Sequence, residues 1–283
     1  PAIIPASALG KDGFVAPSNR VVMGSIGLGG MGSNNTSSFL GDKRVQVVAL
    51  CDPCMSDNRY GYGHNNTCGA EVFKQRKNLK DAKIYTDFRE LLAREDIDAI
   101  TTATPDHWHA IIGIACANAG KDVYGEKPLT RTIEEGRYLS NAVLRNGIIW
   151  QTGSWQRSRH DFWYAAELVR NGAIGKVKLI KIGLPSNNKV PPLAPEKVPD
   201  TLDWNMWLGP AADVEFHPYR AFTTWRHCPM GDGLPHAGRK DHRANSCRMA
   251  KGRFLRFADK LCGSLHLRAR GSCGNVRQVS HGS

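Results

Sequence analysis

Six residues near the N-terminus, Gly27-Leu28-Gly29-Gly30-Met31-Gly32, restrict what this chain can fold into more than any other feature. They spell G-x-G-x-x-G between an apolar run, residues 21–26, and a predicted helix. In such a turn the first glycine permits the reversal and the second lets backbone approach a pyrophosphate. The third lets helix and strand pack closely, with the helix N-terminus facing the phosphates. The pattern alone is weak, but Asp52 closes a second β-branched run (residues 45–50) twenty residues beyond Gly32. An acid there can hydrogen-bond ribose hydroxyls and would repel a 2′-phosphate, so NAD is expected before NADP. Cys54 and Arg59 keep that choice open.

The rest of the first half alternates strands with helices. Phe88, Leu91 and Leu92 follow an N-cap at Asp87, and residues 99–102 read as a strand. A small-residue helix over 109–119 ends at Gly120, and a short strand covers 122–124. A helix over 132–145 opens with Thr132 and Glu135 in capping-box spacing and stops at Asn146-Gly147, before a strand at 148–151. This rhythm implies an α/β fold with a parallel, doubly wound sheet. The rhythm then changes: a helix over 159–170, a strand over 176–182, a Pro-rich stretch over 185–199, and the tryptophans Trp204, Trp207 and Trp225. The expected organisation is an N-terminal arm (1–17), an NAD(P)-binding Rossmann domain (18–151), the start of an incomplete α+β open-sheet domain (152–226) and a basic tail (227–283).

Composition matters chiefly through its distribution. Of the net charge of +12, residues 227–283 hold eleven Lys/Arg and three Asp, whereas residues 1–226 hold 27 Lys/Arg and 23 Asp/Glu. The basicity is thus a property of the tail, not a surface for nucleic acid on the folded part. The tail also has four of the eight cysteines and five of the ten histidines, without paired metal-ligand spacing. Cys51 and Cys54 form a CxxC around Asp52, read as coincidence rather than redox chemistry or zinc binding. No apolar run approaches a membrane span.

Two further segments follow predicted strands, where an open α/β sheet binds ligand. One is the loop Thr104-Pro105-Asp106-His107-Trp108-His109. The other is Gly125-Glu126-Lys127-Pro128, whose lysine, placed after a buried strand, is expected to be partly desolvated, with a lowered pKa. Taken with Gln156-Arg157, the Asn171–Lys176 turn NGAIGK and DWNMWLGP (203–210), these motifs resemble the glucose–fructose oxidoreductase / inositol dehydrogenase (Gfo/Idh/MocA) family over residues 18–226. The resemblance implies a sugar, cyclitol or polyol substrate, NAD as cofactor, and Lys127 assisting proton transfer at the reacting hydroxyl. It places Asp106 to His109, Glu126 and Gln156 along the nicotinamide half, with Thr104 and Pro105 beside them, and Arg157 at the substrate mouth. It also implies a small-molecule partner and frequent homo-oligomers.

The N-terminal PAIIPASALG resembles the remnant of a twin-arginine export signal, implying a periplasmic or exported protein; a cytoplasmic location stays open. After Trp225-Arg226 the resemblance stops. The family's D-x-x-x-H motif has no counterpart in matching surroundings, although Asp232 to His236 spells it, and the tail reads as disordered frame-shift product. The alternatives are therefore an NAD-dependent glycoside hydrolase of the same superfamily, a cofactor-binding remnant without turnover, or a tail that binds zinc or nucleic acid.

Overall fold

The computed structural model describes residues 10, 15–56, 69–181 and 194–223. The chain divides into units Pro1–His236 and Ala237–Ser283, and only the first contains described residues. Most of the N-terminal arm, Arg59, Cys68, much of the Pro-rich stretch, Trp225 and the whole basic tail lie outside them.

Strands β1 (Val21–Ile26), β2 (Val45–Cys51), β3 (Lys83–Tyr85), β4 (Ala99–Thr102), β5 (Asp122–Glu126) and β6 (Trp150–Gly153) form one sheet in the order β3-β2-β1-β4-β5-β6. Every pairing is parallel. The order reverses at β1/β4, and the crevice outside the strand C-termini at that point is where such sheets take ligand.

The strands send side chains to both faces, and a register shift opposite Met23/Gly24, which skips Val48, breaks the simple alternation within β2. Met23, Val47 and Leu50 join a core with Leu28, Ala70 and Phe73. That face is covered by α1 (Gly30–Leu40) and α2 (Gly69–Arg76). Ile26, Ala49, Cys51, Ile100 and Val123 join the opposite core with Leu91, Ile112, Leu139 and Trp150. There the cover is α3 (Phe88–Leu92), α4 (Asp106–Asn118) and α5 (Ile133–Asn146). At the start of α5 the Thr132 hydroxyl accepts from Glu135 N at 3.1 Å, and the Glu135 carboxylate accepts from Thr132 N at 3.2 Å. This box is worth about 1 kcal/mol. Gly147 closes the helix in the left-handed region, φ 64°. Buried Lys121 fastens the turn before β5 to the segment between α3 and β4, donating to Arg94 O and Ile97 O, each at 2.8 Å.

Three expectations about single elements need correction. The segment Asp106 to His109 is the first turn of α4, not a loop, because Pro105 occupies the N-cap and Asp106 suits the positive helix end. The last strand begins at Trp150, two residues late, and continues to Gly153. Residues 176–181 are exposed and form no strand, since no described neighbour runs beside them to complete a ladder. Helix α6 (His160–Arg170) follows the sheet with its aromatic residues Phe162, Trp163 and Tyr164 exposed.

Nor do the described residues beyond 154 build an open sheet; their single pairing is the antiparallel bridge Cys54↔Leu202. Residues 194–223 instead pack on the Rossmann sheet's C-terminal edge. Leu202, Trp204, Trp207, Leu208, Phe216 and Phe222 form a third apolar cluster with Cys54. Met55 N donates to Thr201 O at 2.8 Å and Asp203 N to Pro53 O at 2.9 Å. The apolar content of these residues is thus buried against β2's exit rather than in a second sheet.

Candidate cofactor and proton-transfer site

Gly27 follows β1 with φ +82°, and a Cβ there would lie 2.6 Å from Ala103 O. A Cβ on Gly32 would lie 1.8 Å from Gly27 O. The turn therefore closes only around hydrogen atoms. Gly29 is the N-cap of α1 and Gly30 and Met31 form its first turn, which has no acidic side chain. The first N–H groups of a helix have no intrahelical partner and suit an anion. Ser33 Oγ donates to Leu28 O at 2.6 Å and Thr36 Oγ1 to Gly32 O at 2.8 Å, fixing the loop from behind. The cradle fits a pyrophosphate.

Asp52 sits at the expected place but in an unexpected attitude. Its carboxylate is fully buried, accepting from Leu28 N at 2.6 Å and Cys54 N at 2.9 Å. It ties the glycine loop to the residues after β2, a role that spacing alone did not reveal. Cys51 and Cys54 are both buried, and burial pushes the Cys51 thiol up. A poised redox pair would have the opposite character. Among the described residues no cluster of three or more His, Cys, Asp or Glu is placed to hold a metal.

The motif after β4 is split three ways. Trp108 packs edge-on against Phe88 at 5.5 Å, and its Nε1 donates to Trp207 O at 3.1 Å. The indole also rests on Gly209, where a Cβ would lie 2.0 Å from the ring. With Gly27, Pro53, Thr86, Thr104, Pro105, Met206 and Trp207 it lines a small, mostly apolar cleft. That cleft is bordered by residues following β1, β2, β3 and β4, and Lys127 is not among its lining. Thr104 Oγ1, buried and without a hydrogen-bond partner, belongs to that lining, available to a ligand hydroxyl. The second course is taken by His107, which turns inward, its Nε2 3.0 Å from Trp207 O and its Nδ1 unpartnered. The third belongs to His109, which turns toward the residues after β5, placing one ring nitrogen against Pro128 O and the other 2.8 Å from Thr104 O.

Burial, outweighing the bond to Trp207, lowers the His107 pKa to about 4. An unfolded histidine titrates near 6.5. Above that pH both states are neutral, and this contribution to stability is complete. As pH falls from about 6.5 to about 4, the unfolded chain takes up a proton that the native state refuses, and the contribution is lost. The loss is on the order of 3 kcal/mol. Denaturant midpoints measured across pH 4–7 are expected to fall in that window, and the fall to be smaller in His107→Gln. An unchanged pH profile in the variant would show that His107 is not responsible.

On the β5 side, Glu126 is buried at the strand end. Its Oε1 accepts from Asn35 Nδ2 of α1 at 3.0 Å, and its Oε2 from Lys127 N at 3.2 Å. Gly153 makes room for it, since a Cβ there would lie 2.7 Å from Oε1. Asn35, absent from the sequence-derived site, thus links the cradle's helix to the lysine loop; an asparagine in a helix interior is the only sequence signal it offers. The Lys127–Pro128 bond is cis. Lys127 itself is exposed, correcting the expected desolvation: β5's burial ends at Glu126. The pairing Glu126↔Gly153 brings the turn Trp155–Ser158, with exposed Gln156 and Arg157, to the same sheet edge. The strand ends therefore gather a glycine turn, an apolar cleft and an exposed lysine along one rim.

A family model described as "Oxidoreductase family, NAD-binding Rossmann fold" (GFO_IDH_MocA) matches residues 21–154. A glycosyl hydrolase family 109 protein of a Shewanella species is 32% identical over 185 residues, covering 62% of this chain and 38% of its own length. Levoglucosan dehydrogenase of Pseudarthrobacter phenanthrenivorans is 37% identical over 92 residues, 32% of this chain and 24% of that protein. The crystal structure of myo-inositol 2-dehydrogenase from Lactobacillus plantarum is similar at a TM-score of 0.46 and 26% identity, covering 56% of this chain and 43% of that one. The chain thus spans less than half the length of these relatives. No described helix is long and apolar enough to cross a membrane.

Proposed function

From the premise that residues 21–154 belong to the Gfo/Idh/MocA oxidoreductase family, we propose that this chain moves a hydride between NAD and a hydroxyl-bearing carbon of a sugar or polyol. The observation that carries the reading is the exposed lysine, Lys127, on the same sheet edge as the Gly27–Gly32 cradle. Bound NAD would supply the hydride acceptor. The N–H groups of Gly29 to Met31 would hold its pyrophosphate, and the cleft residues beside Trp108, with the unpartnered Thr104 hydroxyl, would hold a ring and a ligand hydroxyl. Lys127 receives or returns the hydroxyl proton and stabilises developing alkoxide. Gln156 orients the nicotinamide half, and Arg157 faces the substrate.

Binding tests the cofactor half. Calorimetry is expected to show NAD bound more tightly than NADP. Asp52→Asn offers one acceptor where two N–H donors converge, and the loop loosens. Both affinities are expected to fall together by about tenfold. Loss of NAD affinity alone, with the gap to NADP closing, would return Asp52 to a direct ribose role.

A second reading is favoured by the relative named glycosyl hydrolase, which matches a larger part of this chain than the dehydrogenase does. It is NAD-dependent glycoside cleavage without net NADH. Incubation with a free sugar and with an aryl glycoside separates the two: NADH release supports the first, aglycone release without NADH the second.

A further inference from the structure

We propose that His109 is a positioning residue that works as a doubly protonated clamp, tying the loop after β4 to the backbone immediately after Lys127. The inference rests on the proposed role of Lys127, but the clamp is a statement about His109 in the cofactor-free protein and can be tested there.

The argument is a count of donors. His109 is 5% exposed, and both of its ring nitrogens meet backbone carbonyl oxygens: Pro128 O at Nδ1 and Thr104 O at Nε2, the latter at 2.8 Å. A carbonyl only accepts. Neutral imidazole carries one N–H, so in either tautomer one contact becomes lone pair against lone pair. Turning the ring over brings carbon to both positions and loses both bonds. The imidazolium alone satisfies the two oxygens. His107, two residues earlier on the same helix, is the internal contrast. It meets one carbonyl, leaves Nδ1 unpartnered and resists protonation.

The two carbonyls belong to the two halves of the site. Thr104 lines the cleft, and Pro128 directly follows the lysine. On the other side Lys127 N is held by Glu126, itself bound to Asn35 of α1. Lys127 is therefore bracketed by one anchor to the cradle's helix and one to the cleft's loop. The ionisable groups on the neighbouring segments are Asp106 and His107 on α4, Glu126 at the end of β5, and Lys127 and Arg131 after it, with Arg131 paired to Glu135 of α5. Glu126 and Asp106 favour a cationic ring, whereas Lys127 and Arg131 oppose it. Removing the second proton frees one carbonyl, so the clamp opens as pH rises. A lysine acting as base gains with rising pH, so the two limbs have opposite sign.

The test uses the full chain, free of cofactor, with histidine labelled by ¹⁵N. The expected spectrum has both His109 ring nitrogens bonded to hydrogen near neutral pH and His107 neutral, with His109→Gln providing the assignment. A neutral His109 overturns the proposal, whether or not the protein oxidises sugars. In kinetics, His109→Gln keeps one bond of two. It is expected to leave NAD affinity within about threefold while kcat drops about 100-fold and its alkaline decline disappears. An unchanged pH profile, or equal losses in affinity and rate, overturns the positioning role even if the ring is cationic. If no substrate turns over, hydrogen exchange at Lys127 N decides that role. Exchange is expected to rise with pH in the parent beyond the intrinsic rate and to be fast throughout in the variant; the same protection in both proteins overturns it.

Discussion

Replacing Gly32 with alanine is expected to weaken NAD binding by about 100-fold or more, an effect of about 3 kcal/mol. The new Cβ would lie 1.8 Å from Gly27 O and 2.8 Å from Gly27 C. Both atoms are backbone, so no side chain can swing aside. Gly27 cannot retreat either, because it is held against Ala103 O at φ +82° and its N–H donates to Cys51 O at 2.8 Å. Relief requires the loop to open or α1 to slide outward, and both displace the N–H groups that would face the pyrophosphate. Some stability is lost too, about 1–3 kcal/mol as for other overpacked sites. Gly120→Ala is the matched control. Gly120 also has positive φ, +69°, but a Cβ there meets nothing within 4 Å. It is expected to cost about 1 kcal/mol of folding free energy and no NAD affinity. Calorimetry on both variants, with denaturation curves to confirm folding, decides the matter. Gly32→Ala binding NAD within threefold of the parent would mean that this turn is not the pyrophosphate cradle.

The second large effect is expected at Lys127. Lys127→Ala is predicted to reduce kcat about 1,000-fold while NAD affinity stays within about threefold, the pattern of an interaction made in the transition state. The substitution is clean because the lysine side chain has no hydrogen bond or ion pair among the described residues. Folding is thus expected to be unaffected within about 0.5 kcal/mol. Lys127→Arg keeps the charge but not the compact, deprotonatable ammonium, and is expected to restore little. The readout is sugar-dependent NADH formation. Where the 283 residues alone give none, the comparison is made after grafting the C-terminal half of a curated relative. Equal rates with and without Lys127 remove it from the mechanism.

Much of this was readable from the sequence because it depends on local signals. The β-branched runs at 45–50 and 99–102, the Thr132/Glu135 box and the Gly147 stop are each written within a few residues, and each appears in the fold. The elements that escaped are those with short or mixed signals. Strand β3 has three residues, Lys-Ile-Tyr, and among the described strands pairs with β2 alone. Helix α2 carries one large apolar side chain, Phe73, in eight residues. The start of α4 was hidden by Pro105, which reads as a loop unless its place ahead of the first turn is recognised.

At the site, residue positions were legible and orientations were not. The spacing placed Asp52 at the end of β2, but whether its oxygens face a ligand or Leu28 N depends on the turn's three-dimensional path. Likewise TPDHWH announced polar chemistry without disclosing that its three ring side chains diverge to different partners. Residues 176–181 failed for a related reason. Alternation is a local property, whereas a strand requires a neighbour.

The double acceptance at Trp207 O bears on the order in which this molecule can be made. His107 and Trp108 are about a hundred residues earlier in the chain than the carbonyl they share. The sheet is complete at Gly153, yet Met206 and Trp207 form one wall of the cleft. On the ribosome that wall emerges about fifty residues after the last strand, a delay of several seconds at ordinary elongation rates. Until then the nascent sheet has its glycine turn but an open flank beside Trp108, and its cofactor can contribute little mass-action stabilisation. A fragment cut at the end of β6 would be frozen in that state. It would hold every strand of a dinucleotide-binding sheet and still bind weakly, because its missing wall is encoded downstream of the domain it completes.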